Sequence, residues 1–204
     1  MRKLIVAEQI SLDGVIQAPG GPEEDSSGDF RLGGWVVPYA DEAIGQAVQD
    51  LLSQPFALLL GRRTYDIWAA YWPHVRAGHA IADLFNSVPK HVATHRSDVL
   101  DWQKSHALEG DLADAIRGLK HQDGANLLTW GSGDMVRQLL AAGLVDEFRL
   151  LIYPVVLGRG KRLFGENAQA SAFTLAHSTR SPGGVLITRY VREGEVRTAT
   201  WRTE

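Results

Sequence analysis

Three short stretches each carry glycine, hydroxyl or guanidinium groups of the kind an anionic ligand requires: Gly61-Arg62-Arg63-Thr64, Thr94-His95-Arg96-Ser97 and Gly131-Ser132-Gly133-Asp134. Glycine lets the backbone bend and lets a ligand approach its N–H groups. A guanidinium fork pairs with two phosphate oxygens at once. A helix that opens after a glycine turn points unpaired N–H groups and a partial positive charge at that turn. Taken alone, such a junction is as often a tight connection as a binding site. Two carboxyls are candidates for acid–base work, Asp13 in the Ser11–Gly14 turn and Asp41 after Trp35–Ala40. Each also has a plain explanation: Asp13 as a turn former bonding its own backbone, Asp41 and Glu42 as acids favoured in a first helical turn.

The elements that must position these groups follow from apolar periodicity. Lys3–Ile10 (KLIVAEQI), Phe56–Leu60 (FALLL), Pro89–Thr94 (PKHVAT) and Ala125–Trp130 read as buried strands, and the segment from Trp102 to Ala107 as a short one. Helices are expected from Asp41 to about Ser53, over Ile67–Trp72 until Pro73 stops it, over Ala80–Ser87, over Leu112–Lys120 behind an Asp111 N-cap, and after Gly133 up to Gly143. Asp146–Tyr153 reads as a strand and Pro154–Phe164 (PVVLGRGKRLF) as a basic, Gly-rich connection. Phe173–Ser178, Gly184–Glu193 and Val196–Trp201 alternate like antiparallel strands. Gln17–Gly34 (QAPGGPEEDSSGDFRLGG) is a long polar loop, expected to be a lid, a binding loop or a disordered segment and to take no part in the core. The sum is an α/β chain forming one domain over 1–204: βα units build a mixed sheet flanked by helices, and an antiparallel meander ends it.

Composition narrows the function. A net charge of -3, with no long basic run, argues against a nucleic-acid partner. The absence of cysteine excludes disulfides, thiolate metal sites and a Cys nucleophile. No apolar run is long enough for a signal peptide or a membrane span, so a cytoplasmic location and no membrane partner are expected. If the strands before the three Gly/Arg stretches are parallel, all three stretches fall on one sheet edge, where a dinucleotide finds its polar contacts. The third reads G-S-G-D-M-V, lacks the third glycine of a Rossmann fingerprint and comes late in the chain, which disfavours an ordinary Rossmann assignment.

From Lys3 to about Arg192 the sequence resembles the dihydrofolate reductase superfamily, in the branch that shares the C-terminal reductase domain of bifunctional riboflavin-biosynthesis proteins. The resemblance rests on SLDG (11–14), GGW with a following Pro and Asp (33–41), GRRTYD (61–66), YWP (71–73), VPKHVAT (88–94), WGSGDMV (130–136), GLVDEFRL (143–150) and PVVLGRGKRLF (154–164), in that order. It implies a dihydrofolate-reductase-like three-layer fold with a mixed sheet of about eight strands, and NADPH as cofactor. By that match Ala7 lies near the nicotinamide. Gly61 belongs to the segment meeting the cofactor, with Arg62 facing the 2′-phosphate and Thr64 the pyrophosphate region. Thr94, His95 and Arg96 fall at the adenosine 2′-phosphate end. Gly131, Ser132, Gly133 and Asp134 fall on the pyrophosphate turn, which in dihydrofolate reductases holds a cis Gly-Gly bond and here has Ser132 as its second residue. Gln17–Gly34 corresponds to the mobile loop over the cofactor.

On the substrate side the resemblance makes Asp13 and Asp41 the candidates for proton delivery. Trp35, Arg159 and Lys161 become substrate contacts, with Arg162 a further cation beside them. No metal is implied. The function expected is an NADPH-dependent reductase, of the dihydrofolate reductase or 5-amino-6-(5-phosphoribosylamino)uracil reductase type. It would transfer a hydride to a C=N or C=O bond of a small pterin- or pyrimidine-like substrate, as a homodimer. The alternative is a non-catalytic module on the same fold that binds a nucleotide or small molecule.

Overall fold

Eight strands form one sheet in the order β4-β3-β2-β5-β1-β6-β8-β7. The computed structural model describes residues 1–165 and 168–201. The strands are β1 (Leu4–Ser11), β2 (Phe56–Gly61), β3 (Lys90–Ala93), β4 (Ser105–Ala107), β5 (Asn126–Trp130), β6 (Glu147–Tyr153), β7 (Ala172–Arg180) and β8 (Leu186–Gly194). Strands β1 to β6 pair with one another in parallel, while β8 is antiparallel to both β6 and β7. The helices are α1 (Glu42–Leu52), α2 (Arg62–Ala69), α3 (Ala80–Ser87), α4 (Leu112–His121) and α5 (Gly133–Ala141).

Side-chain alternation sorts the core onto the two faces. Leu4, Val6 and Ile10 of β1 pack with Ala57 and Leu59 of β2 against Ile116 of α4 and Met135, Val136 and Leu139 of α5. Ala7, Leu58 and Leu60 point the other way, against Leu52 of α1, Tyr65 of α2 and Phe85 of α3. This is the mixed, three-layer α/β architecture expected. The chain therefore leaves β1 toward the α1 face and leaves its neighbour β5 toward the α5 face. Adjacent parallel strands whose connections depart on opposite faces open a crevice at their C-terminal ends, the usual ligand position in such sheets. The β1–β5 pairing ends at the Ala7–Trp130 rung, whereas β1 continues alongside β6 to Ser11.

Three local expectations need correction. Helix α2 begins at Arg62, straight after Gly61, and ends at Ala69, while Trp72–His74 forms only a 3-10 turn. The polar residues of GRRTYD make the outer face of the first turns, and Tyr65 alone carries the buried contact. Val196–Trp201 pairs with no strand, and Trp201 is exposed. The 17–34 loop does enter the core: Ala18 and Phe30 are buried with Trp35, Val36 and Tyr153. Its fold comes from polar ties that composition does not display. The Gln17 side-chain amide donates to the Asp25 and Ser27 carbonyls at 3.0 and 2.9 Å, and Gln17 Oε1 accepts from Lys161 N–H at 3.0 Å. The two ends of the loop touch so closely that a Cβ on Gly33 would lie 2.5 Å from the Gly21 carbonyl oxygen.

Candidate functional site

The β2 and β5 junctions are tied to each other across the sheet edge. Gly61 N–H donates to Ser132 Oγ at 2.9 Å, and Ser132 N–H donates to Thr64 Oγ1 at 3.0 Å. The approach demands glycine at 131: a Cβ there would lie 3.1 Å from Thr64 Oγ1, and the residue has φ +68°. Ser132 follows in the left-handed region as well, at φ 59°. Two consecutive left-handed residues make the turn with a trans peptide, since no cis bond occurs among the described residues.

Helices α2 and α5, which open at this edge, have no side-chain N-cap. The other three are capped: α1 by Asp41 through Ile44 N–H, α3 by His79, and α4 by Asp111 through Asp114 N–H. First-turn N–H groups without a cap retain their capacity for an anion. Asp134 lies in the first turn of α5 but points to solvent and pairs with Arg137.

The charged residues expected to meet a phosphate are already engaged. The Arg62 guanidinium bonds Asp66 and Asp98, and Arg96 bonds the same two carboxylates, at 2.9 Å to Asp66 and 2.6 Å to Asp98. Two cations and two anions thus balance at the ends of β2 and β3. Thr94 Oγ1 accepts the Arg96 N–H at 3.0 Å, and His95 is exposed. Arg63 and Lys161 converge on Asp25 of the loop, with Lys161 Nζ 2.7 Å from Asp25 Oδ2. Asp25 is only 9% exposed; burial opposes its charge, but Arg63, Lys161 and Ser27 outweigh this and hold it far below the usual carboxylate range.

Asp13 lies two residues beyond the C-terminal end of β1, and Asp41 at the start of α1. Asp13 Oδ1 accepts from Ser11 Oγ at 2.6 Å and Leu157 N–H at 3.0 Å, and Oδ2 from Gly158 N–H at 2.9 Å. Arg162 Nε donates to its carbonyl at 2.8 Å. Burial acts against the charge, yet these bonds lower the pKa to about 2. Asp41 caps α1 and accepts Gly183 N–H at 3.1 Å, and these bonds lower its pKa, Ile44 N–H most of all. These hydrogen bonds anchor both carboxylates and favour their charged form. Trp35 is buried, its Nε1–H donates to the Gln17 carbonyl at 2.8 Å, and its ring stands edge-on to Tyr153. Arg159 lines a separate hollow with Gln17, Gly28, Phe30 and Lys161.

Two features at the crevice were missed by sequence reasoning. Glu8 is 3% exposed and its Oε1 has no hydrogen-bond partner. Burial pushes its carboxyl well above the usual range; the Gly131 N–H works the other way, and Glu24 of the loop adds to the rise. A lone acid inside LIVAEQI was the available signal. The second is a cleft of about 280 Å³ beneath α1, lined among others by Ala7, Trp130, Arg149, Arg189 and His177. Ala7 belongs to it as well as to the last β1–β5 rung.

The sequence profile described as the RibD C-terminal domain matches residues 2–187. The chain belongs to that family. It is 27% identical over 188 residues to the uncharacterized protein YyaP of Bacillus subtilis (strain 168), covering 91% of this chain and 92% of that one. It is also 27% identical over 194 residues to the uncharacterized protein YwjB of the same organism, covering 94% and 98%. Among solved structures it is similar to a putative riboflavin biosynthesis protein from Shewanella sp. PV-4, with TM-score 0.71, 25% identity and coverage of 94% and 99%. A pyrimidine reductase-like protein from Corynebacterium diphtheriae shares the fold, with TM-score 0.60, 17% identity and coverage of 97% and 93%. The RibD C-terminal domain is a reductase-type family with a dihydrofolate-reductase fold. No described helix is long and apolar enough to cross a membrane.

Proposed function

We propose that this chain is an NADPH-dependent reductase acting on a small heterocycle. The observation that carries the reading is the pair of uncapped helix starts, α2 and α5, cross-tied by Ser132 and Thr64 beside the β1–β5 crevice. Their donor set fits a pyrophosphate: backbone N–H groups, two hydroxyls, and a glycine turn that a Cβ at 131 would fill. Gly131, Ser132, Gly133 and the Gly61–Thr64 junction would hold the pyrophosphate, with Asp134 at its rim. Arg62, Thr94, His95 and Arg96 would meet the 2′-phosphate end. Bound there, a dihydronicotinamide supplies a hydride to the carbon of a C=N or C=O bond, whose heteroatom takes a proton.

The chain's own part is to position and to exclude water. Ala7, with the smallest side chain that still alternates inward, leaves room at the mouth of the crevice. Asp13 locks the β1 turn to the 154–164 segment. Asp25, Arg63 and Lys161 fasten the loop over the same edge. Asp13 and Asp41 act through this scaffolding, so the proton comes from another donor. The unpaired outer edge of β7, nine residues long, offers the surface for the homodimer we expect. A cytoplasmic location goes with the cofactor.

Fluorescence titration with NADPH and NADH tests the reading. Saturable binding of NADPH is expected, and binding of neither overturns it. Arg62→Ala is expected to reduce the preference for NADPH over NADH; an unchanged preference removes Arg62 from the 2′-phosphate site. The balanced charges at Asp66 and Asp98 favour one competing reading, a module that holds an unphosphorylated ligand. Tight NADPH binding without oxidation across dihydropterins, pyrimidines and quinones would favour a binding module over an enzyme.

A further inference from the structure

One rung of the sheet crosses five strands at the floor of the cleft. The register aligns Trp130 of β5 with Ala7 of β1, Ala7 with Arg149 of β6, Arg149 with Arg189 of β8, and Arg189 with His177 of β7. Residues directly opposite one another in a sheet share a face, and all five line the cleft under α1. Its floor therefore runs from an aromatic wall, across an alanine gap, to two guanidinium groups and an imidazole.

Two arginines directly opposite each other repel, and a sheet tolerates them only with compensation. One carboxylate supplies it. Glu147, buried on β6, accepts from Arg149 Nε, and its Oε2 accepts from Arg189 at 3.0 Å. Burial raises the Glu147 pKa, but Arg189 and Arg149 outweigh it and keep the group ionised. Two positive charges thus share one negative one, and Arg189 Nε is buried with no partner among the described residues. Gln46 and Thr179 add neutral polar groups, and Asp50, at the rim, accepts from the Gln46 amide at 2.8 Å. The residues expected to take an anionic substrate lie elsewhere: Lys161 is bound to Asp25 and Arg159 lines the other hollow.

We propose that this rung is a substrate subsite for a compact planar ring carrying its own carboxylate. The ring lies over Ala7 against Trp130, and the carboxylate meets Arg149 and Arg189. A cleft of about 280 Å³ is at the small end of ligand sites, which suits a ring with the anion attached directly. The subsite rests on the proposed reductase reading, because Ala7 and Trp130 place the ring beside the crevice where hydride would arrive.

The test is calorimetric titration of the protein, with and without NADPH, using orotate against uracil, pterin-6-carboxylate against pterin, and orotidine 5′-phosphate against orotate. The acid of at least one matched pair is expected to bind at least about tenfold tighter than its neutral parent, the scale of one charge-assisted hydrogen bond. Arg189→Gln is expected to bring the two within about threefold, with NADPH affinity unchanged. Equal binding of acid and parent, binding of neither, or tighter binding of orotidine 5′-phosphate than of orotate overturns the proposal. The ligand comparison on the unaltered protein stands even if the variant fails to fold. In the unaltered protein, absence of carboxylate selectivity with NADPH binding intact sinks the subsite alone. Absence of NADPH binding with selectivity intact sinks the reductase reading alone.

Discussion

Ser132 and Thr64 meet through one hydrogen bond, Ser132 N–H to Thr64 Oγ1 at 3.0 Å, and so the starts of α2 and α5 become one surface. The Ser132 hydroxyl completes the tie by accepting Gly61 N–H. Thr64→Val keeps the shape and removes the acceptor. It is expected to cost about 1–2 kcal/mol of stability, because a part-buried N–H loses its partner. Ser132→Ala is expected to cost a similar amount. Ser132→Gly should cost less than Ala, since glycine takes φ 59° without penalty. Urea denaturation checks the order, and a Gly variant less stable than the Ala variant would contradict it.

Asp13 works as a latch between β1 and the 154–164 segment. Its pKa, about 2 in the folded chain, lies below the unfolded value of about 3.9. Its stabilising contribution is therefore complete above pH ~4 and disappears as pH falls toward 2. Asp13→Asn is expected to lower stability at pH 7 and to flatten the loss of stability between about pH 4 and 2. Parallel pH profiles for the variant and the parent would remove Asp13 as the latch.

Glu8 has the opposite sign. Its folded pKa is raised, so the folded chain keeps a proton that the unfolded chain releases above about pH 4.3. Stability falls as pH rises from there toward the folded pKa. Glu8→Gln carries no such term, and the variant is expected to gain on the parent as pH goes from about 4.5 to 8. Denaturation midpoints at both pH values decide this; a constant difference between the two proteins would show that Glu8 is ionised in the fold.

Asp25 pins the loop to two distant cations, Arg63 and Lys161. Asp25→Asn keeps the size and removes the charge. Limited proteolysis is expected to cut within 17–34 at least several-fold faster, with the rest of the chain protected as before. An unchanged cleavage rate would mean that Gln17 and the buried Phe30 hold the loop without the ion pairs.

The sheet was legible because its strands are short apolar runs bounded by turn residues, and α1 and α4 because Asp41 and Asp111 announce their starts. The junctions at Gly61 and Gly131 were legible for the same reason, since glycine before a helix is a local signal. What is set by contacts distant in sequence was not legible. GRRTYD is helical although its residues look like loop chemistry, because only Tyr65 needs to be buried. The loop's place in the core depends on Gln17 reaching Asp25, Ser27 and Lys161. Within the strand read as buried, the Lys90 charge is accommodated by contacts the sequence does not display: Nζ donates to the carbonyls of Val88 and Gln103 and lies 4.4 Å from the Trp102 ring centre. The Arg149–Arg189 rung could not be found without the register of β6 on β8. Residue type nominated Asp13 and Asp41, but hydrogen bonds that anchor each and lower its pKa come from Leu157, Gly158 and Gly183, distant in sequence.

The pyrophosphate cradle is tested most directly by a crystal structure of the protein grown with NADPH. Density for the two phosphates is expected within hydrogen-bonding distance of the first-turn N–H groups of α2 and α5, with the nicotinamide entering between Ala7 and Trp130. A dinucleotide bound at any other edge of the sheet, or none at saturating NADPH, would contradict it.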